Sequence, residues 1–166
     1  MTRLWFVVLA ALAACGEGVA GGPTMNNKIG GADMTPPPSS PVVSAEILQR
    51  EPLANKAEVK HILISWKDLA DSFSGHQDPR GAKRTKADAE TAVKSLVGQL
   101  RAGGDFVALM KANSEDVGSA SGDRAFTVTP DAQLVIEFRQ LSLRLKVDEI
   151  GVCQSDFGFH IIKRIQ

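Results

Sequence analysis

Six of the eight prolines and six of the fifteen glycines fall between residues 16 and 57, and this lopsided placement limits where a core can form. A stretch so rich in helix and strand breakers buries too little apolar surface to offset its ordering entropy. It reads as a flexible linker, loose around its glycines and stiffened by Pro36, Pro37, Pro38 and Pro41. Within it only residues 44–50 have the pattern of a short helix. What remains is 58–166, 109 residues with 15 basic and 15 acidic side chains, enough for a single domain. The whole chain carries no formal net charge, so it lacks the broad field that a general nucleic-acid binder uses. No apolar run approaches the roughly 20 residues of a membrane-spanning helix.

The first residues follow a different logic. Arg3 precedes an apolar run at 4–14 that ends in small residues, the order of a secretory signal. Leu12-Ala13-Ala14-Cys15 resembles the lipobox of bacterial lipoproteins. That resemblance implies that 1–14 is removed and that Cys15 becomes a lipidated first residue. The protein would then be held at a membrane by acyl chains, more than one being needed for stable anchoring. Gly16 stands where the inner-membrane retention signal of such proteins has Asp, which implies an outer-membrane lipoprotein of the bacterial cell envelope facing the periplasm. The plainer alternative is an ordinary secretory signal with an incidental cysteine. With Cys15 acylated, Cys153 has no disulfide partner and reads as a buried, inert strand residue.

Periodicity organises the rest. Residues 58–65 alternate as a strand, with Val59, His61 and Leu63 on one face and Ile62 and Ile64 on the other. Thr85 and Asp88 form a relative of the capping box that opens a long helix, stopped by Gly103-Gly104. Asp105 caps a second, short helix. Residues 118–123 read as a small-residue loop and 125–128 as a short strand. Thr129 and Pro130 suit the start of a third helix, with Leu134, Val135, Phe138 and Leu141 as its apolar stripe. Residues 149–154 and 159–165 read as a closing hairpin. This order predicts an α+β fold: helices on a four-stranded antiparallel sheet, preceded by a disordered tether.

Several blocks then coincide in order: Val59-Lys60-His61-Ile62-Leu63-Ile64, Lys86-Ala87-Asp88-Ala89, Asp105-Phe106, Asn113-Ser114-Glu115-Asp116, Ser121-Gly122-Asp123, Glu137-Phe138 and Phe157-Gly158-Phe159-His160-Ile161-Ile162. Together they resemble a parvulin-type peptidyl-prolyl isomerase domain over essentially all of 58–166. The resemblance implies a parvulin-like sheet and rotation of X-Pro bonds in unfolded or proline-containing polypeptides, with no cofactor. It leaves the oligomeric state open, a monomer being the expectation. His76 has no metal-ligand partner at useful spacing, so no metal is expected.

Such a reaction faces a barrier of roughly 18–20 kcal/mol from amide resonance, and no bond is made or cleaved. A catalyst needs an apolar slot for the proline ring and fixed polar groups that favour the twisted amide. The resemblance assigns His61 and His160 to a histidine pair at the centre of the sheet, Asp116 to a position beside the rotating amide, and Ser155 to the same polar network. It assigns Leu134, Phe138 and Phe126 to the proline slot. For the histidines, a purely structural role in the sheet is the competing reading. The family's Gly-Asp-Leu-Gly run stands here as Gly122-Asp123-Arg124-Ala125, one residue shorter before Phe126. In phosphate-directed parvulins the loop at 66–84 carries a basic cluster. Here Arg80, Lys83, Arg84 and Lys86 crowd its far end, diluted by Asp68, Asp71 and Asp78, and a solvated loop is the expectation. A parvulin fold that holds unfolded segments without useful catalysis, a chaperone, is the alternative function.

Overall fold

The computed structural model describes residues 40–166. The signal segment 1–14, Cys15 and the tether to 39 lie outside the described residues. Four strands, β1 (Ala57–Ile64), β2 (Phe126–Val128), β3 (Ile150–Ser155) and β4 (Gly158–Arg164), form one antiparallel sheet in the order β2-β1-β4-β3. Six α-helices accompany them: α1 (Ala45–Leu48), α2 (Pro79–Ala82), α3 (Lys86–Arg101), α4 (Phe106–Asn113), α5 (Val117–Ser121) and α6 (Ile136–Arg144). A 3-10 helix spans Lys67–Phe73.

Strand alternation separates two cores. Ile62, Ile64, Phe159 and Ile161 face α3 and α4, where they meet Val93, Leu96, Phe106 and Met110. Val59, Cys153 and Ile162 face the other way, toward Phe138, Leu141 and Leu145 around α6. The expected capping box is present: the Thr85 hydroxyl accepts from the Asp88 amide and the Asp88 carboxylate from the Thr85 amide. Cys153 is buried, as its strand position implies, and burial pushes its thiol pKa far up.

Three expectations are corrected. The first concerns the boundary at 57/58, because residues 40–56 do not hang free. The Ser44 amide donates to the Val152 carbonyl at 2.9 Å and the Val152 amide to the Ser44 hydroxyl at 3.0 Å. Ile47 is buried with Phe138 and Leu141, and Arg50 pairs with Glu149 at 2.8 Å. These partners lie about a hundred positions away in sequence, out of reach of a local composition argument.

The second is the third helix, which starts at Ile136 rather than at Pro130. Thr129 and Asp131 bond each other's side chains, and turn bonds from Ala132 to Thr129 and from Leu134 to Ala132 keep 129–134 out of the helix. Leu134 and Val135 therefore precede α6 instead of belonging to its stripe. The third is 118–123, most of which is helical: Asp116 caps α5 by accepting from the Ser119 amide, and a five-residue helix is too short for periodicity to reveal.

Candidate active site

The shortness of β2 creates the site. Beyond Val59 the outer edge of β1 has no strand beside it, and the turn at 114–116 takes that place. The Leu63 amide donates to the Ser114 hydroxyl at 3.1 Å, the Glu115 amide to the Leu63 carbonyl at 2.9 Å, and the Ser65 amide to the Glu115 carboxylate at 2.8 Å. With its two preceding residues pinned this way, Asp116 stands opposite His61.

A continuous polar chain results. Asp116 Oδ2 lies 2.9 Å from His61 Nε2, His61 Nδ1 lies 3.2 Å from His160 Nδ1, and His160 Nε2 lies 2.7 Å from Ser155 Oγ. The Phe157 amide donates to that same hydroxyl at 3.1 Å. The hydrogen bond from His61 holds the Asp116 carboxyl far below its usual range, outweighing the cost of partial burial, and the Ser119 hydroxyl adds to the effect. Burial pushes His160 down to about 3, with repulsion from His61 adding to it, so at neutral pH its ring is uncharged.

If both rings are neutral, one arrangement of protons satisfies every contact. A carboxylate only accepts, so His61 Nε2 carries the hydrogen. His61 Nδ1 must then accept from His160 Nδ1–H, leaving His160 Nε2 to accept from the Ser155 hydroxyl. All the donors point toward Asp116. Gly158 makes the hairpin end of this chain possible: its φ is +131°, and a Cβ there would collide with the Ile64 carbonyl.

Above the chain lies a cleft of about 430 Å³. Phe126, Leu134, Val135 and Phe138 wall one end. The edges and faces of His61, Phe126 and Phe138 meet at centroid distances of 5.2 Å for each ring against His61. Leu63, Phe73, Val117 and Phe157 line the other end, with Phe73 and Phe157 in edge contact at 5.5 Å. Asp116 sits in the lining with about a third of its side chain exposed. An apolar ring thus finds two aromatic walls next to a fixed negative charge.

The residues singled out from sequence converge here: His61, Asp116, His160 and Ser155 in the chain, Phe126, Leu134 and Phe138 in the wall. Cys15 lies outside the described residues. Other residues escaped notice. Glu115 is almost fully buried, accepts from Ser65 through both its amide and its hydroxyl, and receives the Arg84 guanidinium. Gly81 lies so close that a Cβ would strike the Ser65 hydroxyl. Phe73 and Phe157 line the cleft, a role for which a lone aromatic in a polar loop was the only signal. The basic cluster is not a solvated loop throughout: Arg84 is spent on Glu115, and Arg80 on Asp78 and the Ser114 carbonyl.

An antiparallel sheet carrying paired imidazoles beneath an aromatic cleft, flanked by helices on both faces, defines a parvulin-type domain. Residues 45–166 match the PPIC-type PPIase domain, and the chain belongs to that family. It is 30% identical over 122 residues to the foldase protein PrsA of Geobacillus kaustophilus, across 73% of this chain and 43% of that protein. It is 27% identical over 112 residues to the chaperone SurA of Hahella chejuensis, across 67% of this chain and 23% of that protein. The chain thus spans less than half the length of these curated relatives. Among solved structures, the solution structure of TbPIN1 superposes with a TM-score of 0.58 at 21% identity, covering 69% of this chain and all of that one. The peptidyl-prolyl isomerase ESS1 from Candida albicans gives 0.55 at 16% identity, covering 68% and 63%. Both likenesses bear on the fold.

Proposed function

We propose that this chain is a peptidyl-prolyl cis-trans isomerase that assists the folding of exported polypeptides, without covalent chemistry or cofactor. The polar chain ending at Asp116, set under an aromatic slot, is the observation that carries the reading. In it the pyrrolidine ring lies against Phe126, Leu134 and Phe138, and the X-Pro amide lies beside Asp116. A planar amide holds extra negative charge on its oxygen through resonance, and twisting withdraws it. A carboxylate held near that oxygen therefore destabilises the planar forms more than the twisted one, which lowers the barrier. His61 keeps Asp116 ionised and oriented, His160 fixes the His61 tautomer, and Ser155 fixes that of His160.

The same reading places the protein outside the cytoplasm, in the bacterial envelope. Cys15 is its lipidated first residue, the outer membrane its anchor, and the domain faces the periplasm. Metabolic labelling with a fatty-acid analogue tests this, since Cys15→Ser should abolish incorporation. The domain acts as a monomer on unfolded segments that contain proline.

The exposed apolar rim, with Val117 at 59% and Phe157 at 36% exposure, favours a second reading in which the cleft holds segments as a chaperone without turnover. An isomerisation assay on short X-Pro peptides decides between them. The intact protein should speed interconversion well above background. Asp116→Ala and His160→Ala should each lower kcat/KM by about tenfold or more, on the order of 1.4 kcal/mol of barrier. Binding without any rate above background would leave only the chaperone reading.

A further inference from the structure

We propose that Arg124 makes this site selective for prolines followed by an acidic residue. The inference rests on the isomerase reading and deepens it, because the two ends of the cleft then take opposite sides of the rotating bond. With the pyrrolidine against Phe126 and Phe138 and the amide at Asp116, the residue before proline lies beyond Asp116. It enters the end formed by Leu63, Phe73, Val117 and Phe157. The chain after proline must therefore leave past Phe126.

Arg124 lies at that exit. Its guanidinium carbon is 5.2 Å from the centre of the Phe126 ring, and its backbone amide is fixed to the Ser119 carbonyl at 2.9 Å. Stacking on an aromatic ring holds the guanidinium plane while its N–H edge stays open to a planar carboxylate. Among the described residues Arg124 takes part in no ion pair. The neighbouring carboxylate, Asp123, is taken by Lys60 at 2.7 Å. In the loop at 66–84 both guanidiniums are already neutralised, Arg84 by Glu115 and Arg80 by Asp78. Asp116, at the middle, repels an acid placed before proline. The charges thus form a polarised track: apolar upstream, negative at the bond, positive downstream. An exposed pair of this kind carries an advantage of about two- to fivefold.

The experiment compares kcat/KM of the full chain on three capped peptides, Leu-Pro-Glu, Leu-Pro-Gln and Leu-Pro-Lys. The expected order is Glu over Gln over Lys at low salt, with a Glu-to-Gln ratio of about two to five that collapses at about 0.5 M salt. In R124Q the ratio should fall to one, and in R124E the order should reverse. A ratio of one in the intact protein, or one that survives R124Q, overturns the selectivity while leaving the isomerase reading in place. No turnover of any of the three peptides overturns the isomerase reading itself, and the selectivity with it.

Discussion

The two faces of the sheet are built from the same strands and do opposite things. On the α3 side, Ile62, Ile64, Phe159 and Ile161 join an apolar cluster with Val93, Leu96, Phe106 and Met110. On the α6 side, the intervening residues of the same two strands, His61 and His160, join a polar chain beside the apolar cluster around Phe138 and Leu141. One face is dry and can be packed to any apolar solution of the right volume. The other must hold its two imidazoles against Asp116 and Ser155 in a single hydrogen-bonding pattern, since a buried polar atom without a partner costs about 1–3 kcal/mol. A two-residue period is therefore enough to keep stability and chemistry apart while holding them one residue from each other.

The sharpest way to test this division is to cut each face. Phe159→Ala, on the dry face, should cost about 3–5 kcal/mol of stability in urea unfolding while peptide affinity of the remaining folded protein is kept. A loss of affinity comparable to that of Phe138→Ala would show that the faces are not separate.

A second test uses acid. The His160 ring titrates near 6.5 when unfolded and at about 3 when folded, so between those values only the unfolded chain takes up the proton. The contribution is complete above pH 6.5 and drains as pH falls toward 3, at up to about 1.4 kcal/mol per pH unit. Below about pH 4, protonation of Asp116 adds to the loss, because its folded pKa is depressed as well. His160→Leu should flatten the stability profile between pH 6 and 4, whereas Phe159→Ala should lower the whole profile without changing its slope.

The smallest effect belongs to Ser155→Ala. Removing that hydroxyl leaves His160 Nε2 without its donor and should cost about 1–3 kcal/mol, read by thermal unfolding at neutral pH. Activity should fall with it, because the His160 tautomer is then no longer imposed.

Much of this was legible before any coordinates. Alternation in β1 and β4 gave the two faces, and the Thr85–Asp88 cap gave the start of α3. The blocks around His61, Asp116 and His160 gave the members of the chain. What stayed hidden depends on partners distant in sequence or on local bonds that override a pattern. Glu115 is charged and sits in a loop, so nothing local signals its burial; its partners are Ser65 and Arg84, 50 and 31 positions away. Thr129 and Pro130 look like a helix start, but the Thr129–Asp131 pair and two turn bonds defer the helix to Ile136 and so bring Leu134 over the cleft. Residues 40–56 look like spacer because prolines say nothing about where Ser44 and Ile47 will dock.

That docking has a consequence for the open margin of the sheet. β3 is an outermost strand, and its outward-facing groups at Val152 would otherwise invite a foreign strand to zip alongside. Ser44 occupies them first, through its amide and its hydroxyl together. An extended segment is thus denied a foothold at the middle of this margin of the sheet.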